Sequence, residues 1–204
     1  MKHFYKYLFL KLLKNITQGE KIISQNIENK NFEIQLFWLS TRRFISHAKS
    51  IIYLCNKKQN LEALMLLRPI IELVVNLRWI IEDNTGVNRQ QFMKSTEYKF
   101  DNGIPEMGDY WSDKNLQKRM EVIGVGQDYY NAVVKKLHDE LHGNPAVIAH
   151  AHYRNLTSMN SETIFSVACQ FTGHLLKVAN ALYPGKFFMN HNDVLSRIRV
   201  SKAL

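Results

Sequence analysis

Three groups of residues in this chain have side chains and spacings suited to chemistry. The first is Arg68, Glu72 and Asn76, four apart along a segment that is otherwise almost wholly apolar. Four residues is close to one helical turn, so the three share one face. Burying an arginine and a glutamate costs several kcal/mol unless they pair and are fully hydrogen-bonded. Such a stripe is therefore either an internal salt-bridge network that fixes helix register or the wall of a polar cleft. The second group is His138-Asp139-Glu140-Leu141-His142, with two imidazoles at the spacing that lets a helix present both to one metal. It approaches the zinc-peptidase pattern His-Glu-x-x-His, but Asp139 stands where the general-base glutamate would be, and Gly143 stops the helix at once. A metal held with help from Glu72, His150 or His152 is the lesser reading, and no metal or cofactor is expected. His142 at a helix C-terminus, where the dipole favours imidazolium, suits a hydrogen bond to Glu72 or acid–base work on a substrate.

The third group is Arg42, Arg43 and His47. An arginine and a histidine one turn apart can serve a phosphodiester, the guanidinium steadying the phosphate and the imidazole moving a proton. RNA cleavage of this kind needs no metal, because the ribose 2′-hydroxyl is the nucleophile. The same residues are also common decoration of a solvent-facing helix. A fourth cluster, His150, His152, Tyr153 and Arg154, follows Gly143-Asn144-Pro145. With Tyr129 and Tyr130 it offers an aromatic, basic surface for unstacked bases, or equally a protein interface. There is no phosphate-binding glycine loop, dinucleotide fingerprint or zinc finger, so kinase-like, P-loop and Rossmann chemistry are set aside.

The elements that must position these groups read as helices, since apolar residues recur at three and four spacing over segments too long for strands. A first helix is expected over 3–16, loosened at Gly19. A second begins near Lys21 or after the asparagine-rich stretch 26–31, and carries Phe32, Leu36, Leu39, Arg43, His47, Ser50 and Leu54 up to Asn56. Asn60 is the expected cap of a third helix over 61–82, apolar nearly all round and hence the buried spine of a bundle. Pro69 removes a hydrogen bond inside it, which predicts a kink or break near Arg68. Shorter helices follow over 87–100 and 114–121, with a loop between them at Asn102-Gly103, Pro105 and Gly108. Further helices are expected over 127–141, stopped by Gly143, and over 161–182, capped by Ser158 or Asn160. The fold class is therefore all-α, an irregular multi-helix bundle around a buried, Pro-kinked central helix. Residues 1–185 form a single helical domain, and 186–204 a basic C-terminal tail, partly ordered at most.

Composition bounds the rest. The chain has 204 residues, 46% of them hydrophobic, with only 9 Gly and 4 Pro, which excludes disorder and fibrous repeats. A net charge of +9 favours polyanionic partners: RNA, DNA or an anionic membrane face. Glu62, Arg68, Glu72 and Arg78 make the most apolar stretch too costly for lipid, so stable membrane insertion is not expected. The first segment, with Lys2, Lys6, Lys11 and Lys14 among Phe4, Leu8, Leu12 and Leu13, could still lie along an anionic surface. Cys55 and Cys169 read as two free buried thiols in a reducing cytoplasm. Spare apolar faces at 3–16 and 161–182 suggest a homodimer.

The segment Ala63-Leu64-Met65-Leu66-Leu67-Arg68-Pro69-Ile70-Ile71-Glu72 resembles the Arg-x-x-x-Glu helix of a bacterial helical family known as domain of unknown function 5677. The stretch Tyr129-Tyr130 through Leu137 to His142 is similar to a later Tyr-rich helix of that family that ends in histidine. The resemblance covers about residues 35–180 and marks Arg68, Glu72 and His142 as the polar centre. It implies a helical bundle and no firm chemistry. A looser likeness is to the HEPN helical bundles, many of them RNA-cutting toxins or phage-defence effectors that dimerise to join two Arg-x(4 to 6)-His motifs. Arg42 to His47 fits that spacing, whereas Arg43 to His47 is one residue short, and Arg43 replaces the usual polar residue after the arginine.

The resulting expectation is a cytoplasmic RNA-binding protein, and a metal-independent endoribonuclease of a toxin–antitoxin or phage-defence type. Arg42 or Arg68 would neutralise the phosphate while His47 or His142 acts as acid or base, with Glu72 beside them. The alternatives are a non-catalytic helical interaction or regulatory subunit with a protein partner, and a small-molecule sensor.

Overall fold

The computed structural model of the chain describes residues 3–25, 27–96, 100–101, 104–105, 113–135 and 160–184. Helix α1 is Phe4–Ile23, α2 Phe32–Asn56, α3 Asn60–Ile81, α4 Val87–Thr96 and α5 Asp113–Val122. Helix α6, Gln127–Tyr129, runs on directly as π-helical turns over Tyr130–Lys135, and α7 is Ser161–Leu182. A 3-10 turn, Ile27–Asn29, precedes α2. A two-residue antiparallel pair, β1 Phe100–Asp101 with β2 Ile104–Pro105, stands where the sequence predicts the end of a helix at Phe100 and then a loop. The fold is all-α around α3, as the hydrophobic pattern predicts.

Helix α3 buries Ala63, Leu64, Leu67, Ile70, Ile71, Val74, Val75 and Leu77, which requires neighbours on several sides. Helices α2 and α7 supply the long ones, and α4 and α5 pack on it as well. The helix runs unbroken through Pro69, so the break expected near Arg68 does not occur. Leu67, Ile70 and Ile71, buried on either side of the proline, hold the helix together across its missing donor.

The apolar faces of the first and last long helices cover each other. Phe9 and Phe165 lie with ring centroids 5.8 Å apart, the Tyr5 backbone N–H donates to Glu162 Oε2 at 3.2 Å, and the Cys169 thiol donates to the Tyr5 carbonyl at 3.5 Å. Much of the two faces read as spare is thus engaged within the chain, while Phe4, Tyr7 and Leu10 stay exposed on α1. For the same reason Leu8, Leu12 and Leu13 are buried in the bundle and unavailable to a membrane surface. No described helix is long and apolar enough to cross a membrane. Both cysteines are free and buried, and burial pushes the Cys55 thiol up to about 11 against the opposing charge of Lys6.

Local signals were followed unevenly. Asn31 Oδ1 accepts from the Ile34 N–H at 3.0 Å, and Asn160 Oδ1 from the Thr163 N–H at 2.9 Å, so both asparagines cap their helices. Gly19 does not loosen α1. It is buried mid-helix, and the packing of Ile16 and Ile23 offsets the roughly 1 kcal/mol a helical glycine costs. Asn60 is the first residue of α3 rather than its cap, and its Oδ1 is buried without a hydrogen bond. The turn before it passes through Lys58 at φ 60, and α3 starts one residue earlier than the cap reading allows. On α2 the buried row is Phe37, Thr41, Phe44, Ile45, Ala48, Ile51 and Cys55, which leaves Leu39 and Arg43 outside it.

One buried network had been read only as charge. Arg78, 2% exposed, donates from Nε and Nη2 to Glu82 Oε1 and Oε2 at 2.8 and 2.7 Å. Its Nη1 donates to the Ile123 carbonyl at 2.9 Å and lies 2.7 Å from His174 Nδ1. A guanidinium only donates, so His174 accepts at Nδ1 and carries its proton on Nε2. Lys177 Nζ stands 3.4 Å from Glu82 Oε1, and the network joins α3 to α7 and to the turn after α5. Burial opposes ionisation of Glu82, but the hydrogen bonds and charge of Arg78, with Lys177 behind them, outweigh it and hold the carboxyl below its usual range.

Replacing Arg78 with Met should cost about 3 kcal/mol, the low end for a buried pair because Glu82 is 30% exposed. The pair's contribution is complete above the unfolded carboxyl pKa of about 4.3 and is lost as pH falls through the lower folded value. Urea unfolding at several pH values should show that acid limb in the parent and a shallower one in Arg78→Met. A variant as stable as the parent would refute the assignment.

Candidate functional site

Helices α2 and α3 form an antiparallel hairpin joined by only three residues, 57–59. Rows of residues on the two helices therefore run in opposite directions past each other. Ser40 and Arg43 on one wall come opposite Asn76 and Glu72 on the other. Together with Leu36, Pro69, Leu73, Leu77, Ile80 and Phe92 of α4 they line a cleft of about 250 Å³. The polar stripe of α3 is thus partly a cleft wall, the second of the two outcomes its burial allowed.

Glu72 is fixed at that wall. Arg68 Nε donates to Glu72 Oε1 at 2.8 Å, with the arginine side chain 15% and the glutamate 40% exposed. Arg119 of α5 is buried near the same carboxylate, its guanidinium carbon 5.9 Å from the centre of the Trp79 ring. Burial lowers the Arg119 pKa, and the Glu72 charge works against that shift. Asn76 Oδ1 is buried and accepts no hydrogen bond, which leaves an unmet acceptor one turn from Glu72.

The neighbouring arginines of α2 part company. Arg42 Nε lies 3.9 Å from Glu20 Oε1 and its guanidinium carbon 4.9 Å from the centre of the Trp38 ring. The Trp38 indole donates to that same Glu20 oxygen at 2.9 Å. Arg42 is therefore tied to α1, and Arg43, about 100° further round the helix, is the one that reaches the cleft. His47 follows Arg43 by one turn and is half-buried, with its Nε2 buried and without a hydrogen bond. Burial, and then the Arg43 charge, lower its pKa below 6.5, so the imidazole is neutral at pH 7.

Of the residues singled out from sequence, Arg68 and Glu72 stand together, Glu72 shares the cleft with Arg43, and Arg42 stands apart from it. His142 lies outside the described residues, as do His138, His150, His152, Tyr153 and Arg154. Tyr129 is no exposed platform for bases, because its ring packs 6.1 Å from Phe171 and its hydroxyl is buried. Sequence reasoning missed Ser40, Phe92 and Arg119. Arg119 had a signal, since it falls three residues after Leu116 on the apolar side of a short amphipathic helix.

In an NMR titration the His47 ring should change protonation below pH 6.5. Removing the adjacent charge in Arg43→Ala should raise that midpoint, while burial keeps it under the free value. Because the folded pKa is the lower one, His47 destabilises the fold as pH drops below 6.5, and His47→Gln should remove that loss. A midpoint unmoved in Arg43→Ala would show that the two side chains do not share an environment.

No curated protein and no solved structure matches the chain. The resemblance seen in the spine helix does hold over part of the chain and stops before the Tyr129–His142 element. Residues 37–99, which carry every residue lining the cleft except Leu36, match the model of the Family of unknown function (DUF5677).

Proposed function

We propose that the protein binds RNA at the α2–α3 cleft and cuts it without a metal. The observation that carries this reading is the exposed Arg43 at the cleft with a neutral histidine one turn beyond it. A charged guanidinium suits a backbone phosphate, and a neutral imidazole can take a proton. The net charge of +9 supplies the long-range attraction for a polyanion.

In the cutting step His47 removes the proton of a ribose 2′-hydroxyl, and that oxygen attacks the adjacent phosphorus. Arg43 balances the added charge on the phosphate oxygens. The 5′-oxygen leaves with its bonding electrons and takes a proton from His142 or from water, giving a 2′,3′-cyclic phosphate. The step requires that RNA binding uncover the His47 Nε2 edge, which is buried in the free protein. The setting drawn from the HEPN likeness, a cytoplasmic toxin or phage-defence effector acting as a homodimer, belongs to the same proposal. The burial of Nε2 favours a second reading, in which the same cleft binds and does not cut.

The test is cleavage and binding of single-stranded RNA and tRNA by purified protein in EDTA. Arg43→Ala should weaken binding by about 10- to 100-fold, the worth of a hydrogen bond to a charged group. His47→Ala should abolish cutting with binding retained. Binding without cutting by the parent would establish the second reading, and no RNA binding at moderate salt would overturn both.

A further inference from the structure

We infer that the cleft receives a single guanine base of the bound RNA, read by Glu72 and Asn76 while Arg43 holds the adjoining phosphate. This rests on the RNA-binding reading and adds to it a base preference. Past Arg43 the cleft no longer suits a phosphate. Its wall carries the carboxylate of Glu72, which calls for N–H donors.

Among the four RNA bases only guanine presents two adjacent donors, N1–H and the N2 amino group, on its Watson–Crick edge. The two oxygens of one carboxylate match that pair. Adenine and cytosine set a ring-nitrogen acceptor beside their amino group, and uracil flanks one N–H with two carbonyls, so each would bring an acceptor against the carboxylate. Glu72 is pre-set for this role, because Arg68 fixes Oε1 at 2.8 Å while each carboxylate oxygen keeps capacity for a further bond. Asn76 Oδ1, one turn along, is buried in the free protein and takes the second amino hydrogen where the entering base uncovers it.

The rest of the lining fits the faces of a base. Leu73, Leu77 and the Phe92 ring are apolar surfaces against which a base can stack or pack. The space, about 250 Å³, is below the roughly 300–1,000 Å³ of pockets for drug-sized ligands, which suits one unpaired base and excludes a base pair. The recognised RNA is therefore single-stranded at that position.

The experiment measures binding of GMP, IMP, AMP and UMP to the full chain by calorimetry. Beside it, fluorescence anisotropy follows uridine-rich oligonucleotides with and without one guanosine. GMP should bind best, and IMP, which lacks only the N2 amino group, at least about tenfold more weakly. The guanosine-bearing oligonucleotide should bind more tightly than its all-uridine counterpart. Glu72→Gln should flatten the preference with folding intact. The nucleotide series on the unaltered chain carries the test even if that variant is unstable. Equal binding of all four nucleotides, or none, with guanosine-independent RNA binding overturns the guanine assignment alone. A preference that survives in folded Glu72→Gln overturns it too, and absence of any RNA binding sinks it together with the proposed function.

Discussion

Helix α3 carries buried side chains from Ala63 to Ile80 around most of its girth, so its neighbours must exclude water from every face but one. Apolar area of that extent is the largest favourable term a fold has, and it is non-directional. It requires enclosure without saying by what. The chain meets the requirement with α2 and α7 along the helix and with α4 and α5 against it. Helix α1 then covers α7. Direction comes from the polar exceptions on α3, which tolerate only particular neighbours.

Two of these exceptions are Arg–Glu pairs at the same four-residue spacing, and Asn76 is a third. In Arg78–Glu82 the guanidinium is 2% exposed, and five donors must be met in a place water does not reach. The Ile123 carbonyl and His174 Nδ1 take both Nη1 hydrogens and bring the donors met to four, so the pair fixes where the turn after α5 and the middle of α7 must lie. In Arg68–Glu72 the glutamate is 40% exposed, and water shares the work. Pairs so open to solvent contribute about 0–1 kcal/mol. Glu72 therefore does little to hold the bundle, and its weight is in the field it sets inside the cleft.

This difference explains what could be read from sequence and what could not. The apolar run of α3, the asparagine cap of α7 and the extent of α7 depend on local spacing and local hydrogen bonds, and they were legible. Whether Gly19 loosens a helix depends on packing contributed by distant segments, and it was misjudged for that reason. The polar stripe was found because charge among apolar residues is a local anomaly. Arg78 is the same kind of anomaly, seven residues after buried Ile71, yet its partners Ile123 and His174 are 45 and 96 residues away. Arg42 and Arg43 show the limit at its finest. Adjacent in sequence and identical in type, they are separated by 100° of helix rotation, and only the position of Glu20 on another helix decides which one turns aside.

That separation also sets the electrostatics of the cleft. Glu20 and the Trp38 ring engage Arg42, so the charge delivered to the cleft by α2 is that of Arg43 alone. On the facing wall Arg68 neutralises much of Glu72, and Arg119 adds a buried positive group nearby. The Arg43 wall is positive, and the facing wall sets the Glu72 carboxylate, an acceptor, beside two positive groups, a polarity that runs across the cleft rather than along it. A simple anion would gain at the first wall and meet the Glu72 carboxylate at the second. A ligand with a phosphate at one end and N–H donors at the other gains at both, and a nucleotide is such a ligand. The neutral state of His47 follows from the same arrangement. Burial takes solvent from its ring, and Arg43 makes a second positive charge one turn away unfavourable, so the arginine that faces the cleft also keeps the imidazole neutral.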